Sequence, residues 1–170
     1  MASPEARSDA LLAGLQEIAP DYVFHLPSST LKSILAGLGE LGIPVHPLTR
    51  EEEGIGIASG LALTGRKPVL VIQDNGLGNA LTALTTFPQA YHIPLFLLVS
   101  QRGGLGEYNS MIHTFCERVE PILDAAGIRY FKLDARIPLE EWTPTVTLAH
   151  QYMQTTHRPV TVLCNLMAGQ

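Results

Sequence analysis

Three consecutive carboxylates, Glu51, Glu52 and Glu53, stand near the head of the segment TREEEGIGIASG, residues 49–60. Acids in a first helical turn are favoured by the positive end of the macrodipole, and Thr49 with Glu52 has the spacing of a capping box. That accounts for Glu52 without any further role. Glu51 is different, because at helical spacing it shares a stripe with Ile55, Ala58 and Ala62, an apolar face. A carboxylate at the edge of a buried stripe needs a partner. The solvated cap is the other reading of the same residue.

A second candidate is QDNGLGN, residues 73–79, which follows an apolar run and opens a helical pattern. Glycines bring backbone amides close to a ligand and helix N-termini favour anions, although a tight structural turn uses the same residue types. Gly76 and Gly78 are followed by Asn79, Ala80 and Leu81, so the third glycine of a dinucleotide fingerprint is missing, as is the lysine of a P-loop. In the third candidate, SQRGGLG at 100–106, Arg102 is a cation in a glycine-rich loop. It suits a carboxylate, sulfonate or phosphonate, and equally a surface ion pair. His113 follows that loop and can enter the same cleft as an acid–base group. The other histidines and the two cysteines, Cys116 and Cys164, lack metal-ligand spacing, so no metal site is expected in this chain. The cysteines read as packing residues of a reducing compartment.

These segments need a scaffold, and the order of elements supplies one. Strand-like runs at Tyr22 to Leu26, Pro44 to Leu48, Pro68 to Gln73, Pro94 to Ser100, Ile128 to Leu133 and Val160 to Cys164 alternate with helical patterns. The helices are expected from Leu31 to Leu41 behind a Ser28 or Ser29 cap, from after Thr49 to about Thr64, from Asn79 to Phe87 with Pro88 as its stop, between Ser110 and Ala126 and between Leu139 and Thr155. Three of the strands, at Val69 to Ile72, Leu95 to Val99 and Val160 to Leu163, are continuous apolar runs, as expected where helices cover both faces. The fold class is therefore α/β, a single domain over 1–170 with a mainly parallel sheet of about six strands. Ligands of such sheets sit at the carboxyl ends of the strands, where all three candidate segments fall.

Composition narrows the partners. The 170 residues are 46% apolar and 16% charged, with 11 Lys+Arg against 16 Asp+Glu and a net charge of −5. That excludes a disordered chain and argues against nucleic-acid binding. Charge this sparse implies that other subunits cover part of the surface. Apolar stretches fall far short of the roughly 20 residues that cross a bilayer, and residues 1–12 lack a signal-like apolar core, so a cytoplasmic protein without membrane contact is expected.

Glu51, nine residues before Gly60 in EEEGIGIASG, together with TGRKPVLVIQDNGLGNALTAL and IPLFLLVSQRG, resembles the pyrimidine-binding domain of thiamine diphosphate-dependent 2-oxo acid decarboxylases. The resemblance spans Tyr22 to Gly106 and is looser beyond. It implies that Glu51 is catalytic, hydrogen-bonding N1′ of the aminopyrimidine in a largely dry pocket, with the cofactor as electron sink. It further implies that Asn75, Gly76, Leu77, Gly78 and Asn79 line the cofactor site. Pro27, Ser28 and Ser29 would face the substrate, with Arg102 and His113 near its anionic tail. The reaction implied is decarboxylation of 3-sulfopyruvate to sulfoacetaldehyde and CO2, with phosphonopyruvate or another small 2-oxo acid as the alternative.

The family holds diphosphate and Mg2+ through a second domain that carries a GDG motif and a downstream asparagine pair; this sequence contains neither. The resemblance thus implies a separate beta subunit bearing the diphosphate-binding domain, in a hetero-oligomer built on alpha dimers. A non-catalytic α/β regulatory subunit, with Glu51 only part of a cap, is the reading from another class. A nucleotide-binding module using residues 74–79 is a third, disfavoured by the missing glycine and lysine.

Overall fold

The computed structural model describes residues 2–103 and 107–167. Six parallel strands, β1 (Tyr22–His25), β2 (Val45–Pro47), β3 (Pro68–Gln73), β4 (Phe96–Ser100), β5 (Arg129–Leu133) and β6 (Val160–Cys164), form one sheet in the order β2-β1-β3-β4-β6-β5. The three continuous apolar runs become β3, β4 and β6 in the middle of the sheet, where both faces are buried. Half-buried and exposed positions fall on the edge strands β2 and β5.

Alternate residues of each central strand enter two separate cores. Val69, Val71, Phe96, Leu98, Val160 and Val162 face α1 (Pro4–Ile18), α2 (Lys32–Glu40) and α7 (Trp142–Thr156). Leu70, Ile72, Leu97, Val99 and Leu163 face α3 (Glu51–Leu63), α4 (Asp74–Leu84) and α6 (Val119–Ala125). The helix α1 has no counterpart in the sequence reading. Ser3 caps it by accepting from the Ala6 amide at 3.2 Å, and it lies along α7 with Gly14 against Val146.

The other helices begin or break where the sequence patterns did not place them. At α3 the N-cap is Arg50, in extended conformation and without a side-chain cap bond. Instead of a Thr49–Glu52 capping box, Thr49 donates to Glu53 through its amide at 3.2 Å and its hydroxyl at 2.7 Å, while Glu52 pairs with Arg50. α4 starts at Asp74 rather than Asn79, so the glycine segment is the helix's own first turns. Pro88 does not stop α4 but sits inside the π-helical turn Thr85–Gln89 that extends it. The single helix expected over 110–126 is two, α5 (Ser110–Cys116) and α6. Pro121 cannot donate to the carbonyl of residue 117, which breaks the ladder at that point.

Strand β1 leads to β2 on one side of it, and β2 leads back to β3 on the other. The order therefore reverses between β1 and β3, and the crevice at their carboxyl ends is where ligands of such sheets bind. No helix among the described residues is long and apolar enough to cross a membrane.

Candidate functional site

Helices α3 and α4 pack against each other with their first turns at the carboxyl edge of the sheet. Glu51, the first residue of α3, is only 8% exposed. Its Oε2 accepts from Asn79 Nδ2 at 3.1 Å, whereas Oε1 makes no hydrogen bond among the described residues. Gly76 makes this approach possible: a Cβ there would lie 2.2 Å from Glu51 Oε1. Glycine is thus required inside the helix by the carboxylate that rests on it, not by a turn. Gly78 likewise faces the Phe115 ring, which a Cβ would meet at 3.0 Å. Leu77 does not share this surface, since its side chain is fully buried in the α3/α4 core.

Beside this pair lies a second, more densely bonded group. Asp74 is fully buried, accepting from the Asn75 amide at 2.9 Å and the Arg102 amide at 2.6 Å. Burial pushes its carboxyl above the usual carboxylate range, against the opposing pull of those bonds. Cys116 donates to Asn75 Oδ1 at 2.8 Å, and burial followed by the nearby Asp74 pushes its thiol far up. The cysteine is a neutral packing group, as its type and context predicted.

Arg102 forms a two-pronged pair with Glu107, Nε to Oε2 at 2.9 Å and Nη2 to Oε1 at 2.8 Å. The Glu107 side chain is entirely covered and also accepts from the Asn109 amide at 3.0 Å. The guanidinium fork holds this carboxyl below its ordinary range. His113 joins the group through Glu107: Nε2 lies 2.9 Å from the Glu107 carbonyl and Nδ1 lies 3.0 Å from Glu117 Oε1. The carbonyl first and then the carboxylate raise its pKa, because both ring nitrogens then favour carrying protons. Arg102 and His113 are therefore brought together, but around a carboxylate that already matches the arginine's charge. Gly104, Leu105 and Gly106 of this loop lie outside the described residues.

Ser28 is drawn in as well, while Pro27 and Ser29 are exposed on the loop after β1. Ser28 Oγ donates to Gln73 Oε1 at 2.8 Å and meets Thr30 Oγ1 at 3.0 Å, and Thr30 Oγ1 meets Ser100 Oγ at 2.9 Å. Gln73, Asp74 and Ser100 stood inside the candidate segments without a role of their own, and Thr30 and Glu107 lay outside them. Gln73 and Ser100 carried a usable signal: each is the polar residue that ends an apolar strand, and the two are paired in register.

Residues 7–119 match the family model described as thiamine pyrophosphate enzyme, N-terminal TPP binding domain. The chain belongs to the thiamine pyrophosphate enzyme family. It is 35% identical over 125 residues to "Sulfopyruvate decarboxylase subunit alpha" of Methanococcus maripaludis, covering 73% of this chain and 75% of that one. The protein of the same name from Methanocaldococcus jannaschii is 31% identical over 155 residues, covering 91% and 90%. A solved 2-oxoglutarate:ferredoxin oxidoreductase from Magnetococcus marinus shares the fold, with a TM-score of 0.62 and 14% identity over 94% of this chain and 28% of that one. Membership makes thiamine diphosphate the cofactor of this fold. The residues present suit its pyrimidine ring, since Glu51 is a buried carboxylate with one oxygen anchored and the other uncommitted.

Proposed function

We propose that this chain is the alpha subunit of a thiamine diphosphate-dependent sulfopyruvate decarboxylase, converting 3-sulfopyruvate to sulfoacetaldehyde and CO2. The observation that carries the reading is the Glu51 carboxylate, buried against Gly76, tethered by Asn79 and open at Oε1. The names of the relatives support the substrate. The relatives' designation as subunit alpha supports a second subunit; in this reading that beta subunit holds the diphosphate and Mg2+, and the active site forms between chains.

When bound, thiamine diphosphate supplies the sink for the electron pair released with CO2. The chain's own residues prepare that chemistry. Glu51 Oε1, left open by the chain's own hydrogen bonds, would face a ring nitrogen of the bound cofactor and hold a proton there. Asn79 fixes the carboxylate's rotation, and Gly76 lets it sit against α4. The backbone of 75–79 shapes the surface on which the ring rests. Pro27, Ser28 and Ser29 border the substrate at the sheet's switch crevice. Arg102 and His113 act near the anionic tail by bracing the loop base through Glu107, since the arginine's charge is matched before any substrate arrives.

Reconstitution tests the reading. The alpha chain alone should not consume sulfopyruvate, and adding the beta subunit, thiamine diphosphate and Mg2+ should release CO2 and sulfoacetaldehyde. Absence of CO2 release from the assembled complex would refute it.

A further inference from the structure

The crevice between β1 and β3 is spanned by a row of four polar side chains whose proton direction is determined. Each hydroxyl has one proton to give. Ser28 gives its proton to Gln73 Oε1 at 2.8 Å, so the 3.0 Å contact between Ser28 and Thr30 has Thr30 as donor. Thr30 has then used its proton, and Ser100 must donate in the 2.9 Å contact with Thr30. The row runs Ser100 to Thr30 to Ser28 to Gln73, and Ser100 is buried at its far end. It terminates on an amide whose Nε2 makes no hydrogen bond among the described residues. Successive bonds polarise one another, which makes that amide group a strengthened and oriented donor.

We propose that the Gln73 amide, oriented by the Ser100–Thr30–Ser28 row, receives the carboxylate of the 2-oxo acid substrate; the inference rests on the decarboxylase reading above. The carboxylate is the group lost as neutral CO2. A cation on it would hold the ground state more tightly than the transition state, while a neutral amide orients it at a smaller penalty. Arg102, the cation of the neighbouring loop, is matched by Glu107 and leaves this role to Gln73.

The test uses the complex of alpha chain, beta subunit, cofactor and Mg2+, with sulfopyruvate and with pyruvate as a tailless comparator. Gln73→Glu replaces the donor by a like charge and should raise KM about 100-fold for both acids, with kcat changing less than about 3-fold. Thr30→Val should raise KM about 5-fold, and Thr30→Ser should stay within about 2-fold of wild type because it restores the row. This pair remains informative if Gln73→Glu does not assemble. Unchanged KM in Gln73→Glu, a KM effect confined to sulfopyruvate, or equal KM values for Thr30→Val and Thr30→Ser would overturn the proposal while the wild type still turns over. A wild-type complex inactive on every 2-oxo acid would overturn the decarboxylase reading and this inference together.

Discussion

Glu51 and Glu107 are both buried carboxylates at the same edge of the sheet, and they are satisfied in opposite ways. Glu107 receives both prongs of Arg102 and the Asn109 amide, so its acceptor capacity and its charge are met within the chain. Glu51 receives one neutral amide from Asn79 and keeps an oxygen open. Burying a carboxylate without full compensation is unfavourable, and of these two the fold keeps that arrangement at Glu51. The difference distinguishes the brace Glu107 from the carboxylate proposed above to act on the cofactor more clearly than burial does, because the two residues are equally exposed.

If the contrast is right, the two sites respond to mutation in different observables. Glu51→Ala should lower turnover of the assembled complex by about 1,000-fold, as expected for loss of a group acting on the reacting centre, with little change in melting temperature. Gly76→Ala places a methyl 2.2 Å from Glu51 Oε1. It should displace the carboxylate and cost about 10- to 100-fold in turnover, measured beside an unchanged far-ultraviolet circular dichroism spectrum. Glu107→Ala should do the reverse: it leaves Arg102 unpaired and lowers the melting midpoint by on the order of 10 °C. Turnover per folded molecule should fall far less than in Glu51→Ala; an equal loss would erase the distinction.

The smallest effect is in pH. The pKa of His113 is raised on folding, so its contribution to stability is complete below the ordinary imidazole value of 6.5 and fades as pH rises through the higher folded value. His113→Gln should flatten the dependence of the melting midpoint on pH in that window, lowering the midpoint most on the acid side, where the lost contribution is complete. A wild-type midpoint that rises there would contradict the sign.

The contrast also explains what was legible beforehand. β3, β4 and β6 were readable because residues buried on both faces leave an uninterrupted apolar run, and Glu51 because it interrupts an apolar stripe. The start of α4 was misplaced because Gly76 and Gly78 look like loop punctuation, whereas they are small to admit Glu51 and Phe115. Arg102 was visible as a cation, but its partner was set by the path of the loop and not by spacing. The polar row was hidden for the same reason: Ser28 and Gln73 are 45 residues apart, and Thr30 and Ser100 are 70 apart. Only the parallel register brings them together.

The central claim is that the open oxygen of Glu51 activates the bound cofactor. It is tested most directly by nuclear magnetic resonance measurement of hydrogen–deuterium exchange at C2 of thiamine diphosphate in the alpha–beta complex. Wild type should exchange this proton orders of magnitude faster than free cofactor, and Glu51→Gln should fall back to about the free rate at equal cofactor occupancy. Equally fast exchange in wild type and Glu51→Gln would contradict the account.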